Sequence, residues 1–121
     1  MRIFIADSQP RVRYGLRVLL EQQPGWRVVG EAGDAQELLE LVYDTCPDLL
    51  LLDYELPGMA SAEILAQLQQ TCPALRVIAM SGHDELRQVA LEAGASSFAS
   101  KTESPEKLVI LIHELHTNEY N

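Results

Sequence analysis

The chain alternates between short continuous apolar runs and longer segments in which apolar residues recur every three or four positions. Arg2 to Ala6, Trp26 to Glu31, Leu49 to Leu52, Leu75 to Met80 and Ser97 to Ser100 are of the first kind and predict five strands. Five segments between and after them carry apolar residues at helical spacing: Val12, Leu16, Leu19 and Leu20; then Leu38, Leu41 and Val42; then Ile64, Leu65 and Leu68. Leu86, Val89, Ala90 and Ala93 form the fourth stripe, and Leu108, Leu111, Ile112 and Leu115 the fifth. Pro10 opens the first helix and Pro24-Gly25 closes it, while Asp34 followed by Glu37 predicts a capping box. Asp84 is expected to cap the fourth helix and Gly94 to end it, and Ser104-Pro105 supplies a cap followed by a proline at the first helical position of the fifth.

Strands and helices in strict alternation, joined by short connections, predict an α/β domain in which a five-stranded parallel sheet carries helices on both faces. Leu49 to Leu52 show no polar alternation, which suits a central strand buried on both sides. Leu56-Pro57-Gly58 then turns the chain, so Asp53 is expected at the strand's carboxyl end, at the mouth of a loop. Residues 1–116 are read as one domain, and 117–121 as a polar tail or the start of a linker.

Composition narrows the class. At 121 residues, 47% hydrophobic and 22% charged, the chain can bury a core without staples. No apolar run reaches the roughly 18 residues of a membrane span, and Met1-Arg2 leads directly into Ile3 without a secretory core, so a cytoplasmic location is expected. The formal net charge of -9 is the wrong sign for attracting phosphate backbones and predicts a domain that does not bind nucleic acid by itself. Cys46 and Cys72 each sit in the phrase Thr-Cys-Pro-x-Leu, which marks two equivalent helix-to-strand junctions and reads as a pair of structural thiols, with a disulfide or redox switch as the alternative.

The candidate chemistry lies just past the strands: Asp7-Ser8 after the first, Asp53 after the third, Ser81 after the fourth and Lys101 after the fifth. With strand order 2-1-3-4-5 the crevice opens between Asp7 and Asp53, where two carboxylates, a hydroxyl and an ammonium would converge. Taken singly, Asp7 and Ser81 read as caps and Lys101 as a solvated charge; their joint placement suits phosphoryl chemistry on Asp53. A carboxylate approaching a phosphate is repelled by roughly 4 kcal/mol per unit pair at about 4 Å and an effective dielectric near 20. A divalent cation would offset this, and Mg²⁺ suits carboxylate and phosphate oxygens. Lys101 would neutralise a further oxygen and Ser81 would donate to the new acyl phosphate.

At this point the sequence resembles the receiver domains of two-component response regulators, over nearly its whole length. The resemblance rests on the acidic loop after the first strand, Asp53 in Leu-Leu-Asp-x-x-Leu-Pro-Gly, Ser81 in Met-Ser-Gly-His-Asp, and Gly94-Ala95-Ser96-Ser97-Phe98 leading to Lys101. It implies a flavodoxin-like fold and a signalling domain, rather than an enzyme, that takes a phosphoryl group on Asp53 from a sensor histidine kinase with Mg²⁺. It further implies that Ser81 and Phe98 shift to remodel the face formed by the fourth helix, fifth strand and fifth helix. Gly30-Glu31-Ala32 and Gly94-Ala95-Ser96 look most like receivers of regulators with a C-terminal helix-turn-helix domain.

One departure stands out. The family has two adjacent acids in the first loop, the second binding metal directly, whereas this chain has Asp7-Ser8, and Ser8 suits a helix cap before Gln9-Pro10. The metal ligands are therefore read as Asp7, Asp53 and Glu55, with Glu55 supplying the missing carboxylate; alternatively Glu55 faces solvent and offers only its carbonyl. If the loss of the second acid abolishes phosphorylation, the chain is a pseudo-receiver acting by protein binding. A third class, a haloacid-dehalogenase-like phosphatase or a flavodoxin, is disfavoured: Asp53-Tyr54-Glu55 lacks a second aspartate two residues on, and no phosphate loop follows the first strand. As an aromatic on a strand Phe98 reads as core and becomes a switch only through the resemblance; His83 reads as a solvated loop residue, with bordering the phosphate as the alternative, and His113 and His116 as a polar helix face rather than a metal pair. Tyr14, Val18, Val109 and Ile110 lie off the core stripes of the first and last helices and point to a homodimer or to packing on an output domain.

Overall fold

The structure, a computed structural model, describes residues 1–119. The elements run β1 (Arg2–Ala6), α1 (Pro10–Glu21), β2 (Arg27–Ala32), α2 (Ala35–Thr45), β3 (Leu49–Asp53), α3 (Ser61–Thr71) and β4 (Arg76–Ser81), followed by α4 (Arg87–Glu92), β5 (Ser97–Ser100) and α5 (Pro105–Glu119). The strands pair in parallel, as expected from the alternation, and in the order β2-β1-β3-β4-β5 on which the expected crevice depends. Thr117 to Glu119, read from the sequence as the start of a polar tail, are the last turn of α5; Tyr120 and Asn121 lie outside the described residues.

Strand parity splits the core into two layers. Phe4, Leu50, Leu52, Val77, Ala79 and Phe98 face α2, α3 and α4 through Leu38, Val42, Ile64, Leu65, Leu68 and Ala90. Ile3, Ile5, Leu49, Leu51, Ile78 and Met80 face α1 and α5 through Leu16, Leu20, Leu108 and Ile112. All four leucines of β3 are buried, so this strand is sandwiched on both faces and carries Asp53 rigidly at its end. The capping box forms in a shifted version: Asp34 accepts from the Glu37 N–H at 2.8 Å, and Glu37 reaches back to the N–H of Gly33 rather than of the cap itself.

Several local expectations are corrected. Trp26 is buried but precedes β2, its N–H closing a turn on Gln23. Asp84 does not cap α4: it begins a separate 3-10 turn (Asp84–Leu86), and only Ala90 of the short α4 is fully buried, leaving Val89 exposed. Ser8 does not cap α1 either; Gln9 occupies the cap position without a side-chain bond, and Asp7 accepts the Gln9 N–H instead. The two Thr-Cys-Pro junctions share one device, a threonine hydroxyl donating four residues back (Thr45 to Leu41, Thr71 to Gln67), and differ at the cysteine: Cys46 is left-handed with φ 45°, Cys72 is not. Both thiols are free.

At Gly30 the backbone passes directly over the Phe4 ring, and an added Cβ would stand 2.5 Å from ring carbon Cε2. Phe4 is fully buried and has nowhere to move. Gly30→Ala is therefore expected to destabilise the fold by about 1–3 kcal/mol, read as a fall of several degrees in Tm by thermal unfolding.

Candidate functional site

β1, β3, β4 and β5 deliver Asp7, Asp53, Ser81 and Lys101 to one edge of the sheet. Asp53 is the last residue of β3 and nearly buried; its Oδ1 accepts the Glu55 N–H at 2.9 Å, which holds the carboxylate in a tight turn and leaves Oδ2 on the side of Lys101. The Lys101 N–H bonds to the Ser81 carbonyl at 2.8 Å, continuing the β4–β5 ladder by one residue, and so projects the ammonium back into the crevice. There Nζ lies 2.6 Å from Asp7 Oδ2 and 3.5 Å from Asp53 Oδ2. The two buried carboxylates thus share one cation, and the cluster carries a net charge of -1.

Asp7 is held at every polar atom. Its N–H donates to the Ala32 carbonyl, its own carbonyl accepts from Arg13, Oδ1 accepts from the Gln9 N–H, and Oδ2 meets Lys101. On the other side, the fully buried Ser81 donates its Oγ–H to Glu55 Oε1 at 3.0 Å and accepts the His83 N–H at 2.9 Å. The Glu55 carboxylate is half exposed, with His83 Nε2 at 3.8 Å. Phe98 is buried on the helical face, its ring covered by the Arg87 guanidinium at 4.9 Å from the centroid.

Two converging carboxylates are an anionic oxygen donor pair that suits Mg²⁺, which accepts one or two carboxylates and keeps waters for the rest. Asp7 and Asp53 are the residues that would hold it. Among the described residues no group of three or more acidic, histidine or cysteine side chains converges as a ready-made metal cage. Glu55, the third expected metal ligand, is engaged with Ser81 and does not join Asp7 and Asp53 around Lys101.

A family model describing the response regulator receiver domain matches residues 3–113. The chain belongs to this family. The receiver domain is 39% identical over 107 residues to the transcriptional activator protein ExaE of Pseudomonas putida, covering 87% of this chain and 50% of that protein. It is 34% identical over 119 residues to the nitrate/nitrite response regulator protein NarL of Escherichia coli K12, covering 97% of this chain and 55% of that one. The chain thus spans about half the length of the curated relatives it matches. Among solved structures, a LuxR-family two-component response regulator from Aurantimonas sp. SI85-9A1 superposes with a TM-score of 0.89 at 36% identity, covering 97% of this chain and 85% of that one.

Sequence patterns in this receiver domain pointed to the strand-end residues and missed a second polar group behind them. Arg13 and Arg17 of α1 both grip Glu31 of β2, Arg13 through Nε at 3.2 Å and Arg17 through Nε and Nη2. An arginine pair four residues apart beside the α1 core stripe, and a lone acid near the end of β2, are the features that could have found it.

Proposed function

We propose that this receiver domain accepts a phosphoryl group on Asp53 from a sensor histidine kinase and changes an output surface in response. The observation that carries this reading is the placement of Asp53 Oδ2, buried, turned into the crevice and 3.5 Å from a lysine ammonium that can follow the incoming phosphoryl oxygens. Oδ2 attacks phosphorus, the phosphorus–nitrogen bond of the donor's phosphohistidine breaks, the imidazole leaves with its electron pair, and an aspartyl acyl phosphate remains. Mg²⁺, bound through Asp7 and Asp53, would supply the charge neutralisation that lets two anions meet. Lys101 shifts its weight from Asp7 to a phosphoryl oxygen, and Ser81 exchanges Glu55 for the acyl phosphate as its acceptor.

Glu55 would turn from Ser81 when the metal binds and offer it a third carboxylate, replacing the acid absent at Ser8. Glu55→Ala is accordingly expected to weaken Mg²⁺ binding several-fold by titration calorimetry, and an unchanged affinity discards this role. Ser81, released from Glu55, and Phe98, released from Arg87, are the switching residues, and the surface they alter is that of α4, β5 and α5. Tyr14, Val18 and Ile110, with exposures of 70%, 44% and 57%, form the apolar part of the α1 and α5 face offered to a second copy or to a helix-turn-helix output domain. Phosphorylation is expected to raise the apparent mass in light scattering, and Ile110→Glu to cancel the rise; a monomer throughout opposes the dimer. The compartment we infer is the cytoplasm, where the phosphodonor kinase domain would meet it.

One observation favours a second reading. The Lys101 ammonium already sits 2.6 Å from Asp7, and with Ser8 in place of an acid the tethered cation offsets half of the charge of the two carboxylates that would draw a metal. A pseudo-receiver, acting by protein binding alone, would keep this arrangement permanently. Incubation with acetyl phosphate separates the two by intact mass: one Mg²⁺-dependent phosphoryl group, removed by hydroxylamine, is expected, and no gain at saturating Mg²⁺ favours the pseudo-receiver.

A further inference from the structure

We infer that Arg13 is a positioning residue of the metal-binding loop, acting by locking the Asp7–Ser8 peptide against β2. The inference rests on the receiver reading for the identity of the site. Its grounds are four contacts. Arg13 Nη1 donates to the Asp7 carbonyl at 2.6 Å, and the same guanidinium, through Nε, is fastened to Glu31 Oε1 at 3.2 Å. Arg17 takes the other Glu31 oxygen, so the acid cannot swing away from Arg13. Gly33 closes the slot: a Cβ there would meet Arg13 Nη1 at 3.3 Å.

The physical consequence concerns which way Asp7 points. Its carbonyl, held by Arg13, faces α1 and β2, while its side chain, held by Gln9 and Lys101, faces the crevice. Without Arg13 the Asp7–Ser8 peptide is free to turn, and the carboxylate loses the backbone frame that presents it. A chain with Ser8 in this loop depends on that frame more heavily, because Asp7 is the only carboxylate the β1–α1 loop offers to a cation. Outer partners that orient a ligand commonly govern metal affinity by about 10- to 100-fold.

A purely electrostatic role predicts the opposite sign. Deleting a positive charge near a cation site tightens binding, whereas deleting a positioning contact loosens it. Here the guanidinium charge is paired with Glu31, only one-quarter exposed, so the contact dominates.

The test is Mn²⁺ binding, followed by the electron paramagnetic resonance signal of the free ion, on wild type, Arg13→Met, Arg13→Lys and Arg17→Met. Mn²⁺ stands in for Mg²⁺ at an oxygen site, and the readout does not require phosphorylation. Arg13→Met is expected to weaken binding about tenfold. Arg13→Lys should fall between it and wild type, because an ammonium can reach the carbonyl or Glu31 but not both. Arg17→Met loosens Glu31 without touching Asp7 and is expected to weaken binding by only about two- to threefold, clearly less than Arg13→Met, which separates positioning from general destabilisation. Affinity in Arg13→Met equal to or tighter than wild type, equal losses in Arg13→Met and Arg17→Met, or no measurable binding by wild type would each overturn the proposal. Binding by wild type that follows this pattern, with no phosphorylation of Asp53, would instead remove the phospho-acceptor reading and leave the role of Arg13 standing.

Discussion

Asp53→Asn is expected to keep the fold and abolish phosphorylation. The substitution is isosteric, and the asparagine carbonyl can accept the Glu55 N–H that Asp53 Oδ1 now holds at 2.9 Å, so the turn after β3 survives. The buried site becomes less charged, because Lys101 retains Asp7 at 2.6 Å while its second anionic partner is gone. Thermal stability should therefore stay within about 1 kcal/mol of wild type. The nucleophile, however, is lost outright: an amide oxygen cannot form a stable acyl phosphate, and no other carboxylate lies at the end of the central strand. Intact mass after acetyl phosphate treatment checks both halves, together with a melting curve. A phosphoryl group retained by the variant would place the acceptor elsewhere.

Lys101→Met is expected to act in two directions at once. In the absence of Mg²⁺ it leaves Asp7 and Asp53, both nearly buried, facing one another without a cation. The cost is about 1–3 kcal/mol, at the lower end of what broken ion pairs produce because the ammonium is 25% exposed. Mg²⁺ should bind more tightly to the variant, since its competitor is gone, and should restore the lost stability. Phosphorylation should nonetheless slow by about 10²–10³-fold, because the ammonium no longer meets the phosphoryl oxygens as charge develops. Melting curves across a Mg²⁺ series, paired with phosphorylation rates at saturating metal, separate these effects. Weaker Mg²⁺ binding in the variant would contradict the view of Lys101 as a tethered competitor.

The sheet and its working edge were legible because parallel strands leave a strong trace. Leu49 to Leu52 had to be buried on both faces, and the residue that ends such a run stands at the ligand edge whatever the side chains nearby. Asp7, Ser81 and Lys101 follow from the same rule. What escaped were contacts that depend on side-chain reach across the fold. Arg13 meets Glu31 over a separation of 18 residues, and Ser81 meets Glu55 over 26, and neither spacing has a period to betray it. Short elements were also misread: Asp84 looks like a cap, yet a 3-10 turn intervenes and α4 keeps only Arg87 to Glu92. Ser8 has the chemistry of a cap, but the helix begins at Pro10, which puts Gln9 at the cap position and Ser8 one residue too early.

Identification of the phosphorylated residue itself tests the account most directly. After incubation with acetyl phosphate and Mg²⁺, borohydride reduces an aspartyl acyl phosphate to the corresponding alcohol with release of phosphate, and peptide mass spectrometry finds the altered residue. The account predicts reduction at Asp53, dependent on Mg²⁺ and absent elsewhere in the chain. Reduction at another carboxylate, or at none while Mg²⁺ saturates the site, would contradict it.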